Sequence, residues 1–281
     1  MSSRLSNEVT LCTIETHYHD LGGRALEECV KRLPFQKVVT FSDRDILPGA
    51  KNIPTTVIPN ITDYCDFMLK SMWPFFDTDY TIFAQWDAMV FDPTKWTDDY
   101  LNYDYIGAVW PWEPEGQNVG CGGFSLRSRR LLNALRDPRI HMTENSRFGM
   151  KHEDAYICVE HRAMLEQEYG IKFAPSGIAA KFAYELGAYQ GSMAFHGFWN
   201  IINFMPADTT DYFFVNRPKG MFSEMHRSHH NIVALGVKNR MDLFDSAIDE
   251  ILAASDFPNL VQWLSNEQFP NRDHILLKLT S

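Results

Sequence analysis

Two adjacent carboxylates, Glu153 and Asp154, lie downstream of the run Asn118-Val119-Gly120-Cys121-Gly122-Gly123-Phe124-Ser125-Leu126-Arg127. A positioned carboxylate can take a proton from an alcohol. Glycines let backbone N–H groups approach a bound molecule with no Cβ in the way. Together they point to transfer of a group to a hydroxyl. Two further motifs widen the set: Gln85-Trp86-Asp87, which follows the apolar run Tyr80-Thr81-Ile82-Phe83-Ala84, and Phe195-His196-Gly197. Each motif also has a plain structural reading. The glycines could form a tight turn, the acidic pair could answer a helix macrodipole, and His196 could be a packed side chain. Only their order along one chain favours chemistry.

The elements that must position these residues are legible from hydropathy patterning. Residues 9–15 read as a buried strand, followed by Gly22-Gly23 and a helix with Leu26, Cys29, Val30 and Leu33 inward. Lys37 to Phe41 read as a second strand, so the opening is a βαβ unit. Ligands of such sheets bind beyond the carboxyl ends of the strands, which puts His17, Ser42 and Asp43 where a base or ribose could sit. A helix over 62–73 leads to the strand ending at Gln85. A strand over 103–110, a helix over 128–137 and a helix over 153–168 with the acidic pair in its first turn follow. After Phe204 the pattern becomes loop-rich, then helical from Asn239 to Ser255. The expected organisation is a catalytic domain over 8–205 and an accessory region over 206–281 packed on the same domain.

Trp110-Pro111-Trp112 supplies flat apolar faces suited to sugar rings, beside the backbone of Gly122 and Gly123. Arg127, with Arg129 and Arg130, could assist a diphosphate. His226, His229 and His230 lack carboxylates at helical spacing and read as loop or surface residues. A net charge of −10 with no long basic run argues against bulk nucleic-acid binding. Five scattered cysteines with no Cys-x-x-Cys spacing read as reduced thiols rather than a disulfide framework. The N-terminus has no apolar signal region, and no segment approaches membrane-spanning length, so the expectation is a cytoplasmic protein.

The ordered segments Phe83 to Val90, Tyr103 to Pro111, Asn118 to Ser128, Glu153-Asp154, Phe173-Ala174-Pro175 and Phe195-His196-Gly197 resemble a GT-A-type glycosyltransferase, nearest to a poorly characterised glycosyltransferase-like family of bacteria and fungi. The likeness spans about residues 8 to 200. It implies an α/β fold, a GT-A-like (Rossmann-like) mixed sheet flanked by helices with a C-terminal helical and loop extension. It further implies a nucleotide-sugar donor, a glycan or other hydroxyl acceptor, and an inverting, metal-assisted transfer. On this resemblance Asp154 is the base and Glu153 binds acceptor hydroxyls. Asp87 and His196 hold Mn2+ or Mg2+, and Gln85 replaces the first carboxylate of the usual Asp-x-Asp element, contacting ribose or phosphate by neutral hydrogen bonds. Fold likeness does not fix the reaction. Two other classes remain: a catalytically weak carbohydrate-binding or scaffold protein, kept open by Gln85, and a glycoside hydrolase using Asp87 and Asp154.

Overall fold

A computed structural model describes residues 4–142, 152–223, 225–254 and 257–280. The chain forms two compact units, Met1–His196 and Gly197–Ser281. The first is built on a six-stranded mixed sheet. Its strands are β1 (Val9–Ile14), β2 (Lys37–Ser42), β3 (Lys51–Pro54), β4 (Tyr80–Ala84), β6 (Tyr105–Val109) and β7 (Val119–Ser128), in the order β3-β2-β1-β4-β7-β6. A smaller sheet holds β5 (Ala88–Val90), β8 (Ala183–Tyr184) and β9 (Ala194–His196) in the order β5-β9-β8.

The chain steps outward from β1 through β2 to β3, then returns to the other side of β1 as β4, all four parallel. The reversal of direction opens a crevice at the carboxyl ends of β1 and β4, where side elements diverge. Every residue of β1 is buried, as expected of a β-branched strand covered on both faces. β7 then runs antiparallel to β4 and pairs Phe124 with Ala84, which delivers its glycines to the crevice. Beyond β4, Gln85 N donates to Gly123 O at 2.9 Å, tying the two segments together. The pairing of β5 with β9 sets Ala88 opposite His196. Residues far apart in sequence thus meet through strand register.

The helices of this unit are α1 (Leu5–Glu8), α2 (His19–Arg32), α3 (Ile61–Lys70), α4 (Arg129–Ala134), α5 (Glu153–Ala155), α6 (Arg162–Tyr169) and α7 (Ser176–Phe182). α2 packs on β1 and β5, α4 and α5 on β7, and α7 on β6. Two side chains cap helices of this unit. Asn60 accepts from Asp63 N at 3.0 Å to start α3, and Ser128 accepts from Leu131 N at 3.0 Å to start α4.

Two local expectations are corrected here. Gly22-Gly23 do not precede the first long helix but lie inside α2, where a Cβ on Gly23 would fall 2.3 Å from Ile46 O and one on Gly22 would fall 2.8 Å from Glu15 Cγ. Close approach, rather than a turn, requires them. The single helix expected over 153–168 is broken. α5 has three residues, a π-type turn covers Tyr156–Glu160, and α6 begins after His161. Glu153 and Asp154 still open a helical stretch that runs on through the π-type turn to Glu160.

The second unit is helical rather than loop-rich: α8 (Phe198–Phe204), α9 (Ala207–Val215), α10 (Met225–Val237), α11 (Met241–Leu252), α12 (Phe257–Asn266) and α13 (Arg272–Thr280). α10 packs against α8, α11, α12 and α13. The expected end of a helix at Ser255 lies outside the described residues, as does the side chain of His226. His229 is no surface residue: it is 5% exposed and stacks on Trp263 with ring centroids 3.7 Å apart. Among the described residues no helix is long and apolar enough to cross a membrane.

Candidate active site

A cavity of about 370 Å³ opens at the reversal point of the sheet. Its walls come from the turn after β1 (Ile14 to Tyr18), from Ile58, Asn60, Ile61 and Tyr64 at the start of α3, and from Gln85 and Trp86 after β4. The turn is built by Glu15, whose Oε1 accepts from His17 N at 2.8 Å and Tyr18 N at 2.7 Å. Burial pushes the Glu15 carboxyl up, against those two amides. His17 Nε2 lies 2.6 Å from Ile58 O and pins the far wall. Tyr18 and Trp86 meet edge to face, with centroids 5.9 Å apart. Of the residues expected to hold a nucleotide, His17 and Gln85 line this cavity; Ser42 and Asp43 do not. Ser42 is fully buried, and Asp43 pairs with His19 on the outside. Tyr18, Trp86 and Tyr64 gain a place here that composition alone could not assign, since aromatics at strand ends are ordinary core residues.

Gln85 joins the cavity to the chemistry-bearing residues. Its amide reaches Tyr64 Oη at 3.4 Å on one side and its Oε1 lies 3.1 Å from His196 Nε2 on the other. The His196 ring is gripped at both edges. Nε2 lies 3.4 Å from Asp87 Oδ1, while Nδ1 lies 2.9 Å from Glu185 Oε1 and 3.4 Å from Cys121 Sγ. Burial alone would push the imidazole down, but Asp87, Cys121 and Glu185 more than offset it and hold it well above the usual range. The ring is seated on Gly123, where a Cβ would fall 2.2 Å from His196 Cδ2. Asp87 and His196 therefore come together as the sequence suggests. Glu185 was missed because it sits in no motif, and Cys121 because it reads as one buried thiol among five.

The acidic pair divides. Asp154 is part-buried; its Oδ2 accepts from Gly122 N at 2.9 Å and its Oδ1 from Ala155 N at 2.8 Å. Burial, and then the Glu153 charge, push its carboxyl up to about 7 against those amides and Arg127. Glu153 is 4% exposed, and both its oxygens are taken, Oε1 by Arg127 Nη2 at 2.8 Å and Oε2 by Cys65 Sγ at 3.3 Å. Buried and paired with Arg127, Glu153 presents no open face to an acceptor hydroxyl, so direct acceptor binding gives way to a role behind Asp154.

Arg127 is corrected in the same way. It is fully buried; Nε donates to Ser125 Oγ at 3.2 Å, and the guanidinium lies 5.0 Å from the Phe83 ring centroid and 5.5 Å from that of Tyr105. It neutralises Glu153 from within and meets no open space where a diphosphate could lie. Of the tryptophans, Trp110 is 7% exposed and packs over Gly120, while Trp112 is 57% exposed and stacks on it with centroids 6.2 Å apart. Only Trp112 presents a free face. Gly122 and Gly123 act through close approach: a Cβ on Gly122 would fall 2.7 Å from Glu153 Oε1.

Sheet, cavity and site define a mixed α/β protein with a ligand crevice at a topological switch point. Over residues 49–196, more than half of its length, the sequence matches the family described as "Protein of unknown function (DUF5672)", and the chain belongs to that family. No curated protein matches it. Similar solved structures include a glycosyltransferase involved in the glycosylation of the major capsid of PBCV-1, at 10% identity over 67% of this chain and 91% of that one, with a TM-score of 0.45. The apo-form glycosyltransferase GlyE of Streptococcus pneumoniae TIGR4 aligns at 11% identity over 67% of this chain and 54% of its own, with a TM-score of 0.42. The bifunctional IspDF of Campylobacter jejuni aligns at 10% identity over 59% and 48%, with a TM-score of 0.35. Likeness at this level leaves the reaction to be argued from the chain itself.

Proposed function

We propose that this protein transfers a glycosyl group from a nucleoside diphosphate sugar to a hydroxyl acceptor, with inversion, and that Asp154 is the general base. The observation that carries the reading is the seat of Asp154. Its carboxyl is pushed into the neutral range beside the glycine run, where a base that deprotonates an alcohol works best. The nucleoside would occupy the cavity between Tyr18, Tyr64 and Trp86, with Gln85 marking its passage toward His196. In the transfer, the acceptor oxygen forms its bond to the anomeric carbon as the bond from that carbon to the diphosphate oxygen breaks. The hydroxyl proton passes to Asp154 Oδ2 or Oδ1, and the diphosphate leaves with the bonding pair. Gly122 N–H and Ala155 N–H hold the carboxylate in place, and Glu153, neutralised by Arg127, raises its proton affinity. Trp112 offers a face for a sugar ring.

The Mn2+ or Mg2+ of this reading would be held by Asp87 and the Nε2 edge of His196, a carboxylate and an imidazole 3.4 Å apart, and such an ion supplies charge neutralisation for a departing diphosphate. The experiment is a thermal-shift screen of nucleoside diphosphate sugars with and without Mn2+, followed by assay of nucleoside diphosphate release and NMR of the product's anomeric configuration. A donor that binds the native state raises the midpoint by mass action, and its turnover should disappear in Asp154→Asn. Failure of every donor to bind or to release nucleoside diphosphate would overturn the reading.

A further inference from the structure

The sugar-transfer reading uses the Nε2 edge of His196 and leaves its Nδ1 edge unexplained. Three ligand-type atoms converge there: Cys121 Sγ, Glu185 Oε1 and His196 Nδ1, all within 4.8 Å of one another. We propose that they form a zinc site, with a fourth position open to water or to a ligand. Cys121 comes from β7, Glu185 follows β8 and His196 ends β9, so three strands bring one ligand each to a point. Cys121 is buried while Glu185 and His196 are part-exposed, which leaves a side by which an ion can enter.

The distances fit. Zinc binds sulfur at about 2.3 Å and nitrogen or oxygen at about 2.0–2.2 Å, so tetrahedral angles put sulfur about 3.6 Å from nitrogen and nitrogen about 3.4 Å from oxygen. The separations here are 3.4 Å for Sγ to Nδ1 and 2.9 Å for Oε1 to Nδ1. Glu185 would have to withdraw by about 0.5 Å from Nδ1 to reach the tetrahedral separation. A thiolate, an imidazole and a carboxylate form a set that zinc accepts and magnesium does not.

A second observation supports the same edge. Metal-bound histidines donate their other ring N–H to a carboxylate or carbonyl, which fixes ring orientation and tautomer. His196 Nε2 faces such a pair, Gln85 Oε1 at 3.1 Å and Asp87 Oδ1 at 3.4 Å. Zinc would displace the Nδ1 proton that faces Glu185 Oε1 at 2.9 Å in the metal-free protein, leaving the Nε2 N–H to Gln85 and Asp87. Asp87 then steers the ring instead of ligating this ion. A neutral imidazole has one lone pair, so zinc on Nδ1 and another ion on Nε2 exclude each other. Binding releases the Cys121 thiol proton and the His196 Nδ1 proton to solvent, and affinity therefore rises with pH.

The test uses the full chain, stripped of metal and titrated with Co2+ as a spectroscopic substitute and with Zn2+ as competitor. A thiolate ligand gives cobalt a near-ultraviolet charge-transfer band. The expected result is a band that saturates at one ion per chain and is abolished by Zn2+ or by Cys121→Ser. In Asp87→Asn the band should persist while affinity falls about 10–100-fold, the usual effect of losing a partner of a metal-bound histidine. Absence of the band in the wild-type protein would overturn the proposal whether or not any variant folds, and so would a band unchanged in Cys121→Ser. No sugar transfer enters these readouts: a confirmed zinc site would displace the ion held by Asp87 and His196 Nε2, while Asp154 as base and the donor cavity are tested separately by the turnover assay.

Discussion

Replacing Asp154 by asparagine should change stability in opposite directions at low and high pH. The carboxyl is pushed from an ordinary 3.8 to about 7 in the folded chain, chiefly by burial and then by Glu153. A raised folded pKa means that the fold prefers the protonated form. Its contribution to stability is fully present below the unfolded pKa and is lost as pH rises through about 7. At about 1.4 kcal/mol per tenfold change in proton affinity, the whole interval corresponds to roughly 4 kcal/mol. Partial exposure of Asp154 and its sharing of charge with Glu153 reduce that to about 1–3 kcal/mol. Asparagine keeps an acceptor for Gly122 N but turns a donor toward Ala155 N, at a cost of about 1 kcal/mol. The variant should therefore be less stable than wild type at about pH 3, below the unfolded pKa of 3.8, and equal or more stable at about pH 8.5, above the folded value of about 7. Urea unfolding at the two pH values measures this directly. Transfer should meanwhile fall about 10²–10⁴-fold, while the wild-type rate rises with pH through the neutral range. A stability difference that does not depend on pH would refute the buried-carboxyl argument, and near-normal turnover would refute the assignment of the base.

Arg127→Met should cost about 3–5 kcal/mol by leaving the Glu153 charge unpaired, whereas the double variant Arg127→Met/Glu153→Gln should recover much of it; a double variant no more stable than the single would show that packing, not charge, sets the loss. Gly123→Ala places a methyl 2.2 Å from His196 Cδ2, so the protein should fold yet lose transfer. Gly177→Ala in α7, which meets nothing within 4 Å, should gain about 0.5–1 kcal/mol and leave turnover unchanged. Trp110→Ala should destabilise by about 3–5 kcal/mol. Trp112→Ala should stay within about 0.5 kcal/mol and raise the KM for a sugar substrate; equal thermal shifts in the two variants would contradict their different burial.

The sequence alone determined the parts of this protein that depend on local pattern. Period-two and all-apolar runs placed β1, β2 and β4, and helical spacing placed α3. The motifs Gln85-Trp86-Asp87, Gly122-Gly123, Glu153-Asp154 and Phe195-His196-Gly197 were also legible, because each is contiguous. Their mutual placement was not. Strand register sets Ala88 against His196 and Phe124 against Ala84, and register follows from which faces are buried across the whole sheet. The same long-range packing separated two neighbours that the sequence treats alike. Glu153 turns inward to Arg127 and Cys65 while Asp154 turns to Gly122. It also drew in Glu185 from a segment with no motif, and it closed Arg127 off from any ligand. Hydropathy records whether a residue prefers water, but which charge lies beside it is fixed only when distant strands come to pair.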